Sequence, residues 1–280
     1  MKNCNRQGPQ QARTGKVRPY MLSAGRVAVK VRPYMLKHVR TDLNWGRVRT
    51  DLNLVYIIYF VIIYIMIITY FGKQFWKIGQ GEMVLAFNPV SKDSKSGISS
   101  RFGADIAFIT TNHPDYNGVE QLSYGERMPF EIRGPGDYEV KEIFVKGTLS
   151  NAIIEGNKYI NTIYSFAVDG INIVFLGALA NSDLPKDTIE AIGNPDILFI
   201  PIGGKKDSKG ANLLDSKEAA KLASTFEPRL IIPMDYDDAS LKSFLKEMGE
   251  EKVAPVDKLT LKRKDLDGKE AEVVVFSTQG

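Results

Sequence analysis

From Met66 onward the chain alternates short apolar runs with polar or amphipathic stretches, and the runs have the length of strands. MIITYFG at Met66 to Gly72 has the β-branched and aromatic composition of a buried first strand ending in a glycine turn. FWKI at Phe75 to Ile78, MVLAF at Met83 to Phe87 and DIAFITT at Asp105 to Thr111 predict three more strands. Between the last two, SKDSKSGISS at Ser91 to Ser100 lacks apolar anchors and reads as a surface loop. EIFVKGTL at Glu142 to Leu149, YINTIYSFAV at Tyr159 to Val168 and INIVFLG at Ile171 to Gly177 continue the series, with Asp169-Gly170 a hairpin turn between the last two.

Beyond this point strand and helix alternate. Helices are expected near Asp183 to Ile192, Ser216 to Phe226 and Ala239 to Met248, and strands at Asp196 to Pro201 and Arg229 to Pro233. Val253 to Pro255, Leu259 to Lys262 and Glu272 to Phe276 close the chain as extended segments. Antiparallel strands early and βα units later define a mixed α/β class with helices covering sheet faces.

The region before Met66 follows different rules. KVRPYML occurs at Lys16 to Leu22 and again at Lys30 to Leu36, and VRTDLN at Val39 to Asn44 and Val48 to Asn53. These copies are identical, short and out of register with each other, so they cannot stack into a repeat core. Residues 1–65 are therefore expected to be a disordered extension or a mis-assigned start, with the domain at 66–280. The uncharged run Leu54 to Phe71 is long enough for a membrane helix. If Met66 to Phe71 is a strand, only about 12 apolar residues remain, too few to span a bilayer. A cytoplasmic protein is expected in that case, and one anchored through Leu54 to Phe71 in the other.

Composition narrows the chemistry. With 280 residues, 44% hydrophobic and 25% charged, the chain can bury a substantial core. Its formal charge of +4 is uneven: residues 1–53 carry +10 and the remainder −6. The acidic remainder implies no nucleic-acid partner. The single cysteine, Cys4, excludes an internal disulfide framework or a multi-thiolate metal site. Only two histidines, His38 and His113, are present, so no histidine-rich metal centre can be built.

Candidate chemistry gathers at predicted strand ends: TTNHPDYN at Thr110 to Asn117, GPGDYEV at Gly134 to Val140, FLGALAN at Phe175 to Asn181, IPIGG at Ile200 to Gly204 and IPMDY at Ile232 to Tyr236. In this order, and with the MIITYFG opening, they resemble the metallo-β-lactamase-fold hydrolases, in particular small hydrolases similar to ascorbate-6-phosphate lactonase. The resemblance spans about Met66 to Thr278 and implies an αββα four-layer sandwich.

In that family a Thr-His-x-His-x-Asp-His loop helps hold two zinc ions that activate a bridging water. The resemblance places Thr111 at the first His, keeps His113 and Asp115, and puts Tyr116 at the last His. Other ligand positions fall on Ala152, Ala178 and Asp235, and supporting ones on Asn88 and Asn181. Threonine and alanine supply neither imidazole nor carboxylate, so the expectation is a module without di-zinc hydrolysis and without a cofactor. Its cleft would be lined by Thr111, His113, Asp115, Tyr116, Asn181 and Asp235, and its partner would be a small molecule or a protein. The alternative is a reduced hydrolase site in which His113, Asp115 and Asp235 hold one divalent ion (zinc, manganese or magnesium), with Asp115 as the catalytic carboxylate. Each residue also has a purely structural use: His113 in a backbone hydrogen bond, Asp115 as a cap, Asp235 as a turn acid.

Overall fold

Apolar side chains on strands must be buried on at least one face, and two stacked sheets satisfy that requirement here. The computed structural model describes residues 65–126, 128–204 and 212–279. The basic repeats, Cys4, His38, the extension assigned to 1–65 apart from its last residue, and Leu54 to Tyr64 of the apolar run lie outside the described residues.

One sheet contains β1 (Met66–Gly72), β2 (Phe75–Gln80), β3 (Met83–Phe87), β4 (Ile106–Ile109), β5 (Phe130–Arg133) and β12 (Lys258–Leu261), in the order β12-β1-β2-β3-β4-β5. The second contains β6 (Gly136–Val140), β7 (Ile143–Ile154), β8 (Asn157–Val168), β9 (Ile171–Phe175), β10 (Ile197–Pro201), β11 (Leu230–Met234) and β13 (Glu272–Val273), ordered β13-β11-β10-β9-β8-β7-β6. Both sheets are mixed. In the first, β3, β4 and β5 run parallel and the other pairs antiparallel. In the second, β9, β10, β11 and β13 run parallel, and β6 to β9 pair antiparallel. This is the α/β sandwich that the strand pattern and the resemblance imply.

The space between the sheets is filled by aromatic rings. Phe87 stacks on Phe108 at 4.5 Å and on Phe175 at 5.0 Å, so it links the facing sheets. Trp76 meets Phe199 edge-on at 5.1 Å and Phe276 at 5.0 Å. Such pairs add a geometric preference to the burial of large apolar areas.

The outer faces are covered unequally. Helices α1 (Lys186–Ile192), α2 (Ser216–Phe226) and α3 (Asp238–Glu247) supply the second sheet's cover, where Leu222, Phe226 and Phe244 join Val174, Leu198 and Ile231 in one cluster. Helix α2 begins where expected because the Asp215 carboxylate accepts hydrogen bonds from the amides of Lys217 and Glu218, while the Asp215 amide donates to the Glu218 carboxylate. On the first sheet, the cover packed on Phe75, Ala107 and Ile109 comes from the stretch 98–104 and a 3₁₀ turn at Val119–Gln121.

The structure also revises parts of the sequence reading. Met66 to Gly72 is strand, so Leu54 to Phe71 does not form one continuous helix. Among the described residues, no helix is long and apolar enough to cross a membrane. Val253 to Pro255 forms no strand, and the last segment shrinks to Glu272–Val273 plus a bridge between Val256 and Phe276. Pro255 lacks the amide that a ladder would need.

Truncating Phe87 to alanine removes the ring that ties the sheets together. The expected loss is about 3 to 5 kcal/mol of unfolding free energy, read from denaturant midpoints; a loss below about 1 kcal/mol would contradict this role.

Candidate functional site

The carboxyl ends of β1, β3, β4, β9 and β11 lead into one cleft, and each contributes a turn whose backbone aims polar groups inward. Gly72, with φ of 110°, ends β1 and leads into Lys73 and Gln74. Asn88 follows β3, Thr110 to Tyr116 follow β4, Gly177 and Ala178 follow β9, and Asp235 follows β11. Gly177 has no acceptable substitute: its φ is 62°, and a Cβ there would lie 2.5 Å from Asn161 Oδ1.

Three linked hydrogen-bond groups occupy the cleft. In the first, Lys73 Nζ donates to Asp115 Oδ2 at 2.5 Å, and the Ser94 hydroxyl donates to Asp115 Oδ1. Burial by itself raises the pKa of Asp115, but the bonds from Lys73 and Ser94 and the charge of Lys73 outweigh it, leaving the pKa below its ordinary value.

In the second, the Asp235 carboxylate is partly buried. Its Oδ2 accepts from Tyr116 Oη at 2.9 Å and from Gln74 Nε2 at 3.2 Å. Its amide donates to the Lys73 carbonyl at 2.9 Å, and its φ of 53° is left-handed. Burial raises the pKa of Asp235, with only partial offset from the nearby Lys73 charge and these two hydrogen bonds. Tyr116 is raised as well, first by burial and then by the adjacent Asp235.

In the third, Asn161 is saturated. Its Nδ2 donates to Ser150 Oγ and to the Leu176 carbonyl, and its Oδ1 accepts from Thr111 Oγ1 at 3.1 Å and from the Ala178 amide at 2.9 Å. Asn88 joins these parts by donating to Gln74 Oε1 and Thr110 Oγ1 while accepting from the Thr110 amide.

The positions singled out from sequence thus separate into two kinds. Thr111, Tyr116 and Asp235 lie in this network, and Asp115 joins it through Lys73. His113 Nδ1 accepts the Asp115 amide at 3.2 Å, and its ring meets Tyr159 edge-on at 5.7 Å. Asn181 stays exposed and accepts from the Asp183 amide in a local turn. Asp115 begins no helix; its carboxylate serves Lys73 and Ser94 instead of capping. Among the described residues no three His, Cys, Asp or Glu side chains are grouped so as to hold a metal ion, so His113, Asp115 and Asp235 are not gathered around one point. Sequence reading missed Lys73, Gln74 and Asn161. Their only local signal is polarity beside strongly apolar strands.

With this architecture in view, the family can be stated: residues 67–235 match the Beta-lactamase superfamily domain, and the chain belongs to that family. Among solved structures it is similar to an inferred zinc-dependent hydrolase of the metallo-β-lactamase superfamily from Thermotoga maritima. That likeness has a TM-score of 0.58 and 24% identity over 76% of this chain and 100% of the other. A possible metal-dependent hydrolase from Veillonella parvula gives a TM-score of 0.51 at 11% identity, covering 71% and 99%. The isothiocyanate hydrolase from Delia radicum gut bacteria gives 0.50 at 12% identity, covering 70% and 98%. These likenesses establish a shared fold. No curated protein matches the chain in sequence.

The raised pKa of Asp235 fixes the sign of a pH effect. Its contribution to stability is fully present below the unfolded-state pKa of about 3.9 and is lost as pH rises through the folded value. Asp235→Asn keeps an acceptor for Tyr116 and Gln74 without the charge. Thermal unfolding across about pH 4 to 9 should therefore show the variant gaining on wild type as pH rises. A gap that stays flat or narrows would contradict the assignment.

Proposed function

We propose that this protein is a metallo-β-lactamase-fold module that works without di-zinc hydrolysis, binding a ligand or a partner in the inherited cleft. The observation that carries the reading is Lys73. Its ammonium is paired with Asp115 and its charge acts on Asp235, so a side-chain cation already serves the carboxylates that a metal would need.

The fold implies zinc, and the side chains present do not fit it. By resemblance the ligand positions fall on Thr111, Ala152 and Ala178, which offer no strong donor, and on Tyr116, whose phenol is pushed away from ionisation. Ala152 and Ala178 pack with Tyr116, Ile154 and Leu213 in an apolar cluster where coordinating groups would be required. A divalent ion entering beside Asp115 would also meet repulsion from Lys73. For the one-metal alternative, Asp115 would have to share with the ion the oxygens on which Lys73 and Ser94 already donate.

We place the chain nearest the small hydrolases similar to ascorbate-6-phosphate lactonase on its MIITYFG opening, and assign 66–280 as the domain with 1–65 as an extension. The start of β1 at Met66 supports that boundary.

Two measurements test this. Metal analysis of the purified full chain should find far less than one zinc or manganese per molecule; near-stoichiometric metal with chelator-sensitive hydrolysis would defeat the proposal. Lys73→Ala should lower unfolding free energy by about 1 to 3 kcal/mol at neutral pH, a range discounted because the pair is partly solvated. If the variant instead matched wild type in stability, Lys73 would not be the cation on which the cleft relies.

A further inference from the structure

Beside the cleft network lies a second concavity that none of Lys73, Asp115 or Asp235 lines. It has a volume of about 640 Å³, within the usual range for small-ligand sites. Three segments form it: Ile109 at the end of β4 with Thr110 and Asn112 just beyond, Arg133 at the end of β5 with Gly134 and Pro135, and Lys158 to Ile160 at the start of β8. Its cause is a mismatch of lengths. β4 and β5 have four residues each, whereas β7 and β8 have twelve, so the long hairpin projects beyond the carboxyl ends of the short strands. The crossing point is the hydrogen bond from the Thr162 amide to the Thr110 carbonyl at 2.9 Å. Leu149 lies opposite Thr162 and Ile160 opposite Asn151, which puts Leu149 and Ile160 on one face of the projecting hairpin. They are 59% and 61% exposed, unusual for side chains of this kind in a strand pair.

The walls are held in place. A Cβ on Gly147 would lie 2.9 Å from the Gly134 carbonyl oxygen, so the loop's backbone rests directly on β7. Tyr138 Oη is 2.9 Å from the carbonyl oxygens of both Arg133 and Gly134, and Tyr164 Oη donates to the Ile109 carbonyl at 2.8 Å. The Thr110 carbonyl is occupied by β8. Much of the backbone's accepting capacity around the pocket is thus committed, which disfavours a ligand rich in donors. The lining contains no carboxylate and two cations. Lys158 has no ion-pair partner among the described residues, and Arg133 uses only Nε on Glu131, so its terminal nitrogens remain available.

We propose that this pocket binds a small amphipathic anion, a monocarboxylate whose apolar body lies along Ile160 and Pro135 and whose head group meets Lys158 and Arg133. The pocket adjoins the cleft, sharing Thr110 with its network and Tyr159 with His113, but the groups proposed to hold the anion, Lys158, Arg133, Ile160 and Pro135, take no part in that network, so the site stands whether or not the metal-free reading holds.

Titration of the full chain with sodium octanoate, followed by calorimetry or saturation-transfer NMR, tests the assignment, with octan-1-ol as the neutral control. Octanoate should bind saturably with a dissociation constant near or below about 1 mM, and octanol at least about fivefold more weakly. Lys158→Glu should weaken octanoate about tenfold, and Ile160→Glu should do so as well, with unfolding midpoints close to wild type because both positions are exposed. Absence of saturable octanoate binding up to about 10 mM, equal binding of the alcohol, or wild-type affinity in Lys158→Glu would each overturn the proposal. Metal analysis of the same preparation reports separately on the cleft.

Discussion

A carboxylate drawn out of water must find positive charge and hydrogen bonds or give up its ionisation, and the partly buried Asp235 sets that demand in this cleft. Much of the surrounding architecture answers it. Tyr116 and Gln74 reach its oxygen, the Lys73 carbonyl accepts its amide, and the Lys73 ammonium stands close enough to favour its charge. These groups come from the ends of β1, β4 and β11, so both sheets must be correctly stacked before the carboxylate is satisfied. The aromatic packing around Phe87 and Trp76 provides that stacking.

Local pattern disclosed a large part of this fold. Alternating or continuous apolar runs located most strands, and the helix expected near Ser216 to Phe226 forms over those residues, its start fixed by the Asp215–Glu218 cap that the structure shows. The edge strands β5 and β6 were harder to read. FEIR buries only Ile132, and GDYEV has no fully buried residue, so neither carries the composition of a core strand. Their pairing comes from the tertiary structure. The cleft was legible as a set of strand ends, because turns rich in glycine, asparagine and aspartate interrupt apolar runs there. Its wiring was not: Lys73 meets Asp115 across 42 positions and Gln74 meets Asp235 across 161, and no local spacing encodes such contacts.

Membership of the beta-lactamase superfamily and the cleft's contents describe different levels of the molecule. The fold delivers strand ends to one place, and the side chains there decide what can happen. In this chain they form hydrogen bonds mainly to each other. Asn161 and Asn88 each use both donor and acceptor capacity within the network.

The unequal covering of the two sheets reaches into the cleft. The first sheet's outer layer is held by scattered backbone bonds, such as Ser91 to Pro114, Phe102 to Gln121 and Ala104 to Leu122, in place of a helical ladder. Segments of that kind open at lower free energy than a packed helix. Ser94, one of the two side chains that steady the Asp115 carboxylate, rides on this layer. An opening of this layer would withdraw a hydrogen-bond donor from the cleft and leave Asp115 a weaker acid, which couples the cleft's electrostatics to a surface loop.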